Sequence, residues 1–176
     1  MKKFASLMTA ASLAALAPLP LAALDMNVIE YMAKDLKRDG SAKKYNGAIA
    51  SCLAGNGDPA KTAEYFAQGE WDVTPQPEMG IIEFSGPDEN VYAMAADDGS
   101  FCMASAEDQG FISAMGKLQV MGLAAGLKFK EVPHPTGCLT FEMENGLTGQ
   151  ITSSGNDPVC EDENTSSVRF EWAAAQ

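Results

Sequence analysis

The chain has 176 residues, with 24 Asp and Glu against 12 Lys and Arg, which gives a formal net charge of −12. A strongly acidic chain is repelled by nucleic-acid phosphates and by anionic lipid headgroups. The composition therefore argues against a nucleic-acid partner and against peripheral binding to anionic membranes.

The first 23 residues predict a secretory signal peptide. Lys2 and Lys3 precede an uncharged run rich in Ala and Leu, which extends to Ala23. An uncleaved membrane anchor is the alternative, but Pro18 and Pro20 disfavour a spanning helix. Cleavage after Ala23 leaves one predicted domain, residues 24–176, in the periplasm or outside the cell, without stable membrane association.

Four cysteines follow the predicted leader. In an exported chain an even number predicts two disulfides, for which three connectivities exist; four reduced thiols are the alternative. We favour Cys52–Cys102, which ties helices to sheet, and Cys138–Cys160, which closes a local β region. Loops of these lengths each stabilise a fold by about 3–4 kcal/mol.

Helical spacing of apolar residues predicts three helices in the first part of the chain. The first covers residues 27–38. The second begins with Ser41 as its N-cap, and the third begins at Asp58-Pro59, an N-cap followed by proline in the first turn. Trp71 is predicted to cover the seam between these helices and a sheet.

The periodicity then becomes alternating. A loop is predicted at residues 75–80, then a strand with Ile82 and Phe84, then a hairpin joining residues 90–96 to 100–104. Two registers of this hairpin are open, because both faces are apolar. A two-residue loop puts these side chains on one face: Tyr92, Met94, Ala96, Phe101 and Met103. A three-residue loop instead puts Val91, Ala93 and Ala95 on the face with Phe101 and Met103.

The stretch from Ser105 to Leu127 predicts a central helix with one broad apolar face that packs on the sheet. Ser105 and Asp108 are its predicted capping pair.

A second hairpin follows, and its pattern selects a register. A two-residue Asn145-Gly146 turn mixes apolar and polar faces, whereas a three-residue loop with Gly146 in the left-handed conformation sets Met143 beside Leu147. We expect the three-residue loop. Alternation of Val168, Phe170 and Trp172 with charged residues predicts the last strand.

Together these elements predict an α+β fold. N-terminal helices are followed by an antiparallel sheet that one central helix interrupts, in two layers with the helices on one face.

Few residues suggest chemistry. The single histidine, His134, lies between two prolines without a G-x-S-x-G motif, and is interpreted as a loop residue. No catalytic residue is predicted. Glu142 and Glu144, on one strand face, provide the alternative of a carboxylate pair for hydrolysis.

Acidic residues crowd around Cys160 and are candidates for calcium binding: Asp157, Glu161, Asp162 and Glu163. Their spacing does not match an EF-hand, so a solvated run of charges is the default interpretation. No metal site and no cofactor is predicted.

Four methionines, Met94, Met103, Met115 and Met121, are candidates for lining an adaptable apolar groove, with ordinary core packing as the default. The chain therefore predicts an exported, non-catalytic protein that binds an unknown protein or a small apolar ligand. A small carboxylate-dependent hydrolase and a calcium-stabilised structural module are the alternatives.

Overall fold

The computed structural model describes residues 25–87, 89–143, 146–154 and 159–172. The predicted signal peptide lies outside these residues. The described helices are α1 (Met26–Ala33), continued by a 3₁₀ segment (Lys34–Lys37), α2 (Ser41–Gly55), α3 (Pro59–Gln68) and α4 (Phe111–Ala125).

Eight strands form one antiparallel sheet in the order β1-β2-β3-β4-β8-β7-β6-β5. Their bounds are β1 (Asp72–Gln76), β2 (Ile81–Ser85), β3 (Val91–Ala96), β4 (Phe101–Ala106), β5 (Phe129–Val132), β6 (Thr140–Met143), β7 (Thr148–Thr152) and β8 (Ser166–Glu171). Strands β1–β4 form a first meander and β5–β8 a second, and the two meet where β4 pairs with β8. In the chain, helix α4 lies between the two meanders. This order confirms the predicted α+β architecture.

The helices pack on the same face of the sheet. The ring of Phe84 on β2 stacks on Phe66 of α3, with centroids 4.1 Å apart. Cys102 on β4 is bonded to Cys52 of α2, and Phe129 on β5 lies against α4. The hydrophobic core fills the space between these two layers.

Both disulfides join the pairs that the sequence favours. Cys52–Cys102 is buried between α2 and β4, whereas Cys138–Cys160 links the segment before β6 to the segment before β8. The two bonds therefore hold different halves of the sheet.

The structure also settles both hairpins. Met94 lies opposite Met103, which is the register of the two-residue loop. In the second hairpin, Gly146 has φ +79°, and the Met143 N–H donates to the Leu147 carbonyl at 2.9 Å, as the three-residue loop requires.

The predicted capping pair of the central helix is wrong. Ser105 is buried in β4, and its hydroxyl is hydrogen-bonded to that of Ser167 on β8. Gly110 is the N-cap of α4 and provides no side-chain oxygen. Pairing with β8 wins because it satisfies the buried backbone of this stretch on both sides.

The predicted N-cap of α2 is also wrong. Gly40, with φ +89°, holds that position, and Ser41 is the first helical residue. The Ser41 hydroxyl donates to the Asp108 carboxylate, so both residues join α2 to the β4–α4 loop instead of capping helices.

Other elements also differ from prediction. Strands β1 and β5 were not predicted, and α4 begins at Phe111 instead of Ser105. The first helix becomes 3₁₀ at Lys34, and the predicted loop at residues 75–80 begins inside β1, which includes Pro75. Strand β1 is an edge strand, where the missing N–H of proline is tolerated. Asp58 does cap α3, and Trp71 is buried against Phe66 as predicted.

Candidate binding groove

Helix α4 and strands β5 and β6 enclose an apolar groove, which we call the α4 groove. It consists of two adjoining cavities of about 240 and 690 Å³ that share Met115, Glu131 and Leu139 as lining residues. Its apolar lining is Phe111, Met115, Leu118, Phe129, Val132, Leu139, Phe141 and Ile151. The larger volume falls in the range of roughly 300–1,000 Å³ that is typical of ligand sites, and the smaller one is just below it.

The groove exists because the helices cover the sheet unevenly. Helix α3 packs on β1 and β2, α2 on β3 and β4, and α4 on β7 and β8. Within the described ranges, strands β5 and β6 have no helix above them except the flank of α4. Of the helix-facing side chains of this last strand pair, Phe129 is partly exposed and Glu131 is exposed, whereas Phe141 and Met143 are buried, so the floor is open along β5.

Gly122 sets how closely α4 approaches this floor. A Cβ atom at Gly122 would lie 2.1 Å from Cε2 of Phe129, so only glycine lets the Phe129 ring lie against the helix. Phe129 in turn contacts Phe141 edge-on, with centroids 5.1 Å apart. These two rings form the part of the floor nearest the C-terminal end of α4.

The flank of α4 beside the groove continues outward as an exposed apolar stripe. Ile112, Met115 and Leu123 recur at i, i+3 and i+11 and so share one side of the helix, where the polar Gln119 lies between Met115 and Leu123. Ile112 is 71% exposed and Leu123 87% exposed. The apolar surface therefore extends from the floor onto the outer side of α4.

The rim of the groove carries two carboxylates. Glu131 pairs with Phe141 across β5 and β6, so its side chain is on the helix-facing side, and Glu161 follows the second disulfide. Both residues are exposed. Of the described Lys and Arg residues, none lines the groove.

His134 lies at the same end, in a turn closed by the Gly137 N–H donating to the His134 carbonyl at 2.9 Å. Its Nδ1 lies 2.7 Å from Thr136 Oγ1 and 3.1 Å from Gln150 Nε2. The Thr136 N–H also points to Nδ1. These contacts fix a loop histidine on the rim, with the Thr136 hydroxyl beside its Nδ1.

The disulfide loop shapes this same end of the groove. The Phe111 N–H at the start of α4 donates to the Asp162 carbonyl at 2.9 Å. The Asp162 carboxylate accepts from the backbone N–H groups of Asn164 and Thr165, at 2.7 and 2.8 Å, and these bonds hold the pKa of Asp162 below its ordinary value. The loop that contains Asp162, which holds the first residue of α4, is thus fixed by hydrogen bonds to its own backbone.

The predicted calcium candidates are only partly described. Asp157 lies outside the described residues, Glu161 and Glu163 are exposed, and Asp162 is engaged with the backbone. Among the described residues, no three His, Cys, Asp or Glu side chains cluster in a way that would hold a metal ion. Calcium binding through Asp157 stays a prediction.

The carboxylate pair for hydrolysis is also only half described. Glu142 is exposed on the sheet face away from the helices, opposite Lys130 on β5, and the Glu144 side chain lies outside the described residues. This alternative therefore also stays a prediction.

The four methionines do not share a surface. Met94 and Met103 pair across strands on the face away from the helices, and Met121 is fully buried under α4. Met115 alone lines the groove. The sequence reasoning missed Phe129. The stretch Phe129–Val132 reads apolar, polar, polar, apolar, so it lacks the alternation that indicates a strand.

A separate cavity, of about 700 Å³, lies between α1 and α3, outside the α4 groove. Its polar groups are paired. The Tyr65 hydroxyl donates to Glu30 at 2.7 Å, and Lys37 forms an ion pair with Glu70 at 3.1 Å. Desolvation, followed by the bond to Glu30, raises the pKa of Tyr65 to about 12. This cavity is a charged seam between helices.

On the other flank of α4, Lys117 packs over the buried Tyr45 ring, with Nζ 5.9 Å from the centroid. Burial, and then the nearby Lys43, lowers the pKa of Lys117. The two flanks of α4 therefore differ: one holds a lysine against the core, and the other is an apolar wall beside carboxylates.

No helix in the described part of the chain is both long enough and apolar enough to cross a bilayer. Comparisons of the chain with protein-family models, curated proteins and solved structures give no match. The groove itself is therefore the basis for inferring function.

Proposed function

We propose that this chain is an exported, non-catalytic binding protein that accommodates an apolar group of its partner in the α4 groove. The single observation that carries the proposal is an apolar floor of half-exposed Phe129 and Leu139 beside buried Phe141 and Ile151. Burying such side chains under a ligand is favourable by about 25 cal/mol per Å² of apolar area.

Export is supported by the leader pattern and by the two disulfides, which are typical of oxidising compartments. The intact mass of the exported protein is expected to correspond to residues 24–176 with four oxidised cysteines. A mass that retains the leader, or four cysteines that react with iodoacetamide without reduction, would contradict this part of the proposal.

Binding in the groove is tested with Nile red, a neutral dye whose fluorescence rises in apolar surroundings. We expect the exported protein to enhance its emission and Met115→Asp, which places a charge on the groove wall, to remove most of the enhancement. Met79→Asp is the matched control, because Met79 is 60% exposed in the turn between β1 and β2.

Near-ultraviolet circular dichroism of both variants checks that each is folded. The proposal fails if the wild-type protein does not enhance the dye, or if Met79→Asp lowers the signal as much as Met115→Asp.

A further inference from the structure

We propose that the occupant of the α4 groove is a basic amphipathic helix of a partner protein. The inference rests on the proposed function and deepens it by naming the chemistry of the partner. The helix would lie on β5 and β6 beside α4 and direct Lys or Arg side chains to the rim.

The first argument is the shape of the uncovered surface. Three consecutive strand pairs each carry a helix, α3, α2 and α4 in turn, and among the described residues the last pair carries only the flank of α4. A helix packs about 10 Å above a sheet and about 8–10 Å from a parallel neighbour. The open strip beside α4 is therefore the place of a fourth helix in the same layer.

The second argument is the exposed stripe on α4. A helix lying on β5 and β6 would contact the side of α4 that bears Met115, which lines the groove. Ile112 and Leu123 lie next to this side toward solvent and are 71% and 87% exposed. An occupant that covers the floor would therefore also reach the near edge of the outward stripe.

The third argument is charge. Glu131 and Glu161 stand on the rim, and no described Lys or Arg lines the groove, so a cationic flank on the partner is complementary. A second copy of this chain would instead bring like-charged rims and a net charge of −12 on each chain together. The charge distribution favours a basic partner over self-association.

The geometry also disfavours the other kinds of occupant. Strand β5 has four residues, carries Lys130 and Glu131, and is followed by Pro133, features that block addition of another strand. A small molecule needs a site that encloses most of its surface, whereas here Met115, Phe129 and Leu139 are partly exposed and the rim residues are exposed.

The experiment uses three labelled 18-residue peptides and fluorescence anisotropy with the exported protein. The first is an amphipathic Leu/Ala/Lys helix, the second has Glu in place of every Lys, and the third is a scrambled form of the first that has no apolar face. We expect the Lys helix to bind about tenfold or more tightly than either of the others. Its affinity is expected to fall as salt is raised.

Two variants test whether the peptide binds in the groove. Leu123→Asp is expected to weaken binding of the Lys helix by about tenfold because it charges the stripe. Glu131→Gln with Glu161→Gln is expected to weaken it by about threefold to fivefold because the rim loses its negative charge. The control pair is Glu78→Gln with Glu89→Gln, two exposed residues in the turns of the first meander.

Equal binding of the Lys and Glu helices, or of the Lys helix and its scrambled form, would overturn the inference. So would a dimer, detected by analytical ultracentrifugation, that Leu123→Asp dissociates, since a second copy would then cover the stripe. If Nile red binds and no peptide does, the helix inference fails while the proposed function stands. If neither binds, both fail.

Discussion

Helices α2 and α4 have fifteen residues each and pack on the same face of one sheet, yet they are covered very differently. Helix α2 is buried at every position from Lys44 to Gly55 except Asn46, because α1, the 3₁₀ segment and α3 surround it. Helix α4 buries five residues and leaves Ile112, Val120 and Leu123 exposed.

The difference follows from chain order. Three helices precede the first meander and one precedes the second, although each meander has four strands. The first half can therefore close its core with its own helices, and the second half leaves one strand pair open. Surface that a chain of this size leaves apolar is where a partner is expected. We call the first meander with its three helices the closed half, and the second meander with α4 the open half.

The largest expected effect is loss of the disulfide in the closed half. Cys52→Ala with Cys102→Ala opens a link between residues 50 apart and removes two buried sulfurs, which is expected to cost about 4 kcal/mol or more. Cys138→Ala with Cys160→Ala opens a separation of 22 and is expected to cost about 3 kcal/mol. Urea unfolding measures the free energy of unfolding of both double variants. A larger loss for Cys138→Ala with Cys160→Ala would contradict the assignment of the closed half.

A matched pair of leucines gives the next effect. Leu53 on α2 is 2% exposed and Leu123 on α4 is 87% exposed. Leu53→Ala is expected to lower the free energy of unfolding by about 2–5 kcal/mol, and Leu123→Ala to change it by less than about 0.5 kcal/mol. Similar losses from the two variants would mean that α4 is covered in the isolated protein.

Alkaline pH is expected to destabilise the contact between α1 and α3 in the closed half, where the Tyr65 hydroxyl donates to Glu30. Because folding raises the pKa of Tyr65 from 10.0 to about 12, its contribution to stability is complete below pH 10 and is lost as the pH rises toward about 12. Tyr65→Phe is expected to flatten this decline in urea midpoints measured across that window. Tyr31→Phe, an exposed phenol on α1, is the control, and an unchanged slope in Tyr65→Phe would contradict the assignment.

Acid is expected to destabilise, by a smaller amount, the loop of the open half that contains Asp162. Folding lowers the pKa of Asp162, so its contribution is present above the ordinary pKa of 3.8 and is lost as the pH falls through the lowered value. Asp162→Asn is expected to make the acid limb of the stability profile shallower. Glu163→Gln, its exposed neighbour, is expected to leave that limb steeper than Asp162→Asn does, and equal slopes would count against the backbone bonds as the cause.

The contrast between the halves also shows how far local patterns reach. Asp58-Pro59 predicted the start of α3 because capping involves atoms only three residues away. The second hairpin was predictable because a single register keeps Met143 and Leu147 together. Ser105 was misassigned because its partner, Ser167, lies 62 residues away, and no local rule includes it.

The groove was less predictable than the fold. Met115 was one of four methionines considered for an apolar groove, but sequence spacing does not show that Met94 and Met103 lie on the opposite face of the sheet. Phe129 reaches the floor only because β5 pairs at the far edge of the sheet and Gly122 admits its ring. Both facts depend on strand order.

The sequence by itself determined the helices, the strands other than β1 and β5, the charge, the leader pattern and the cysteine pairs that could be joined, because these follow from residues close together or from composition. Only the tertiary structure decided that β8 lies between β4 and β7 and that, in the part of the chain that the structure describes, β5 and β6 have no helix of their own. The physical reason is that strand order and coverage are set by contacts between distant segments, which compete for the same buried surface, and alternation along one strand does not reveal its neighbours.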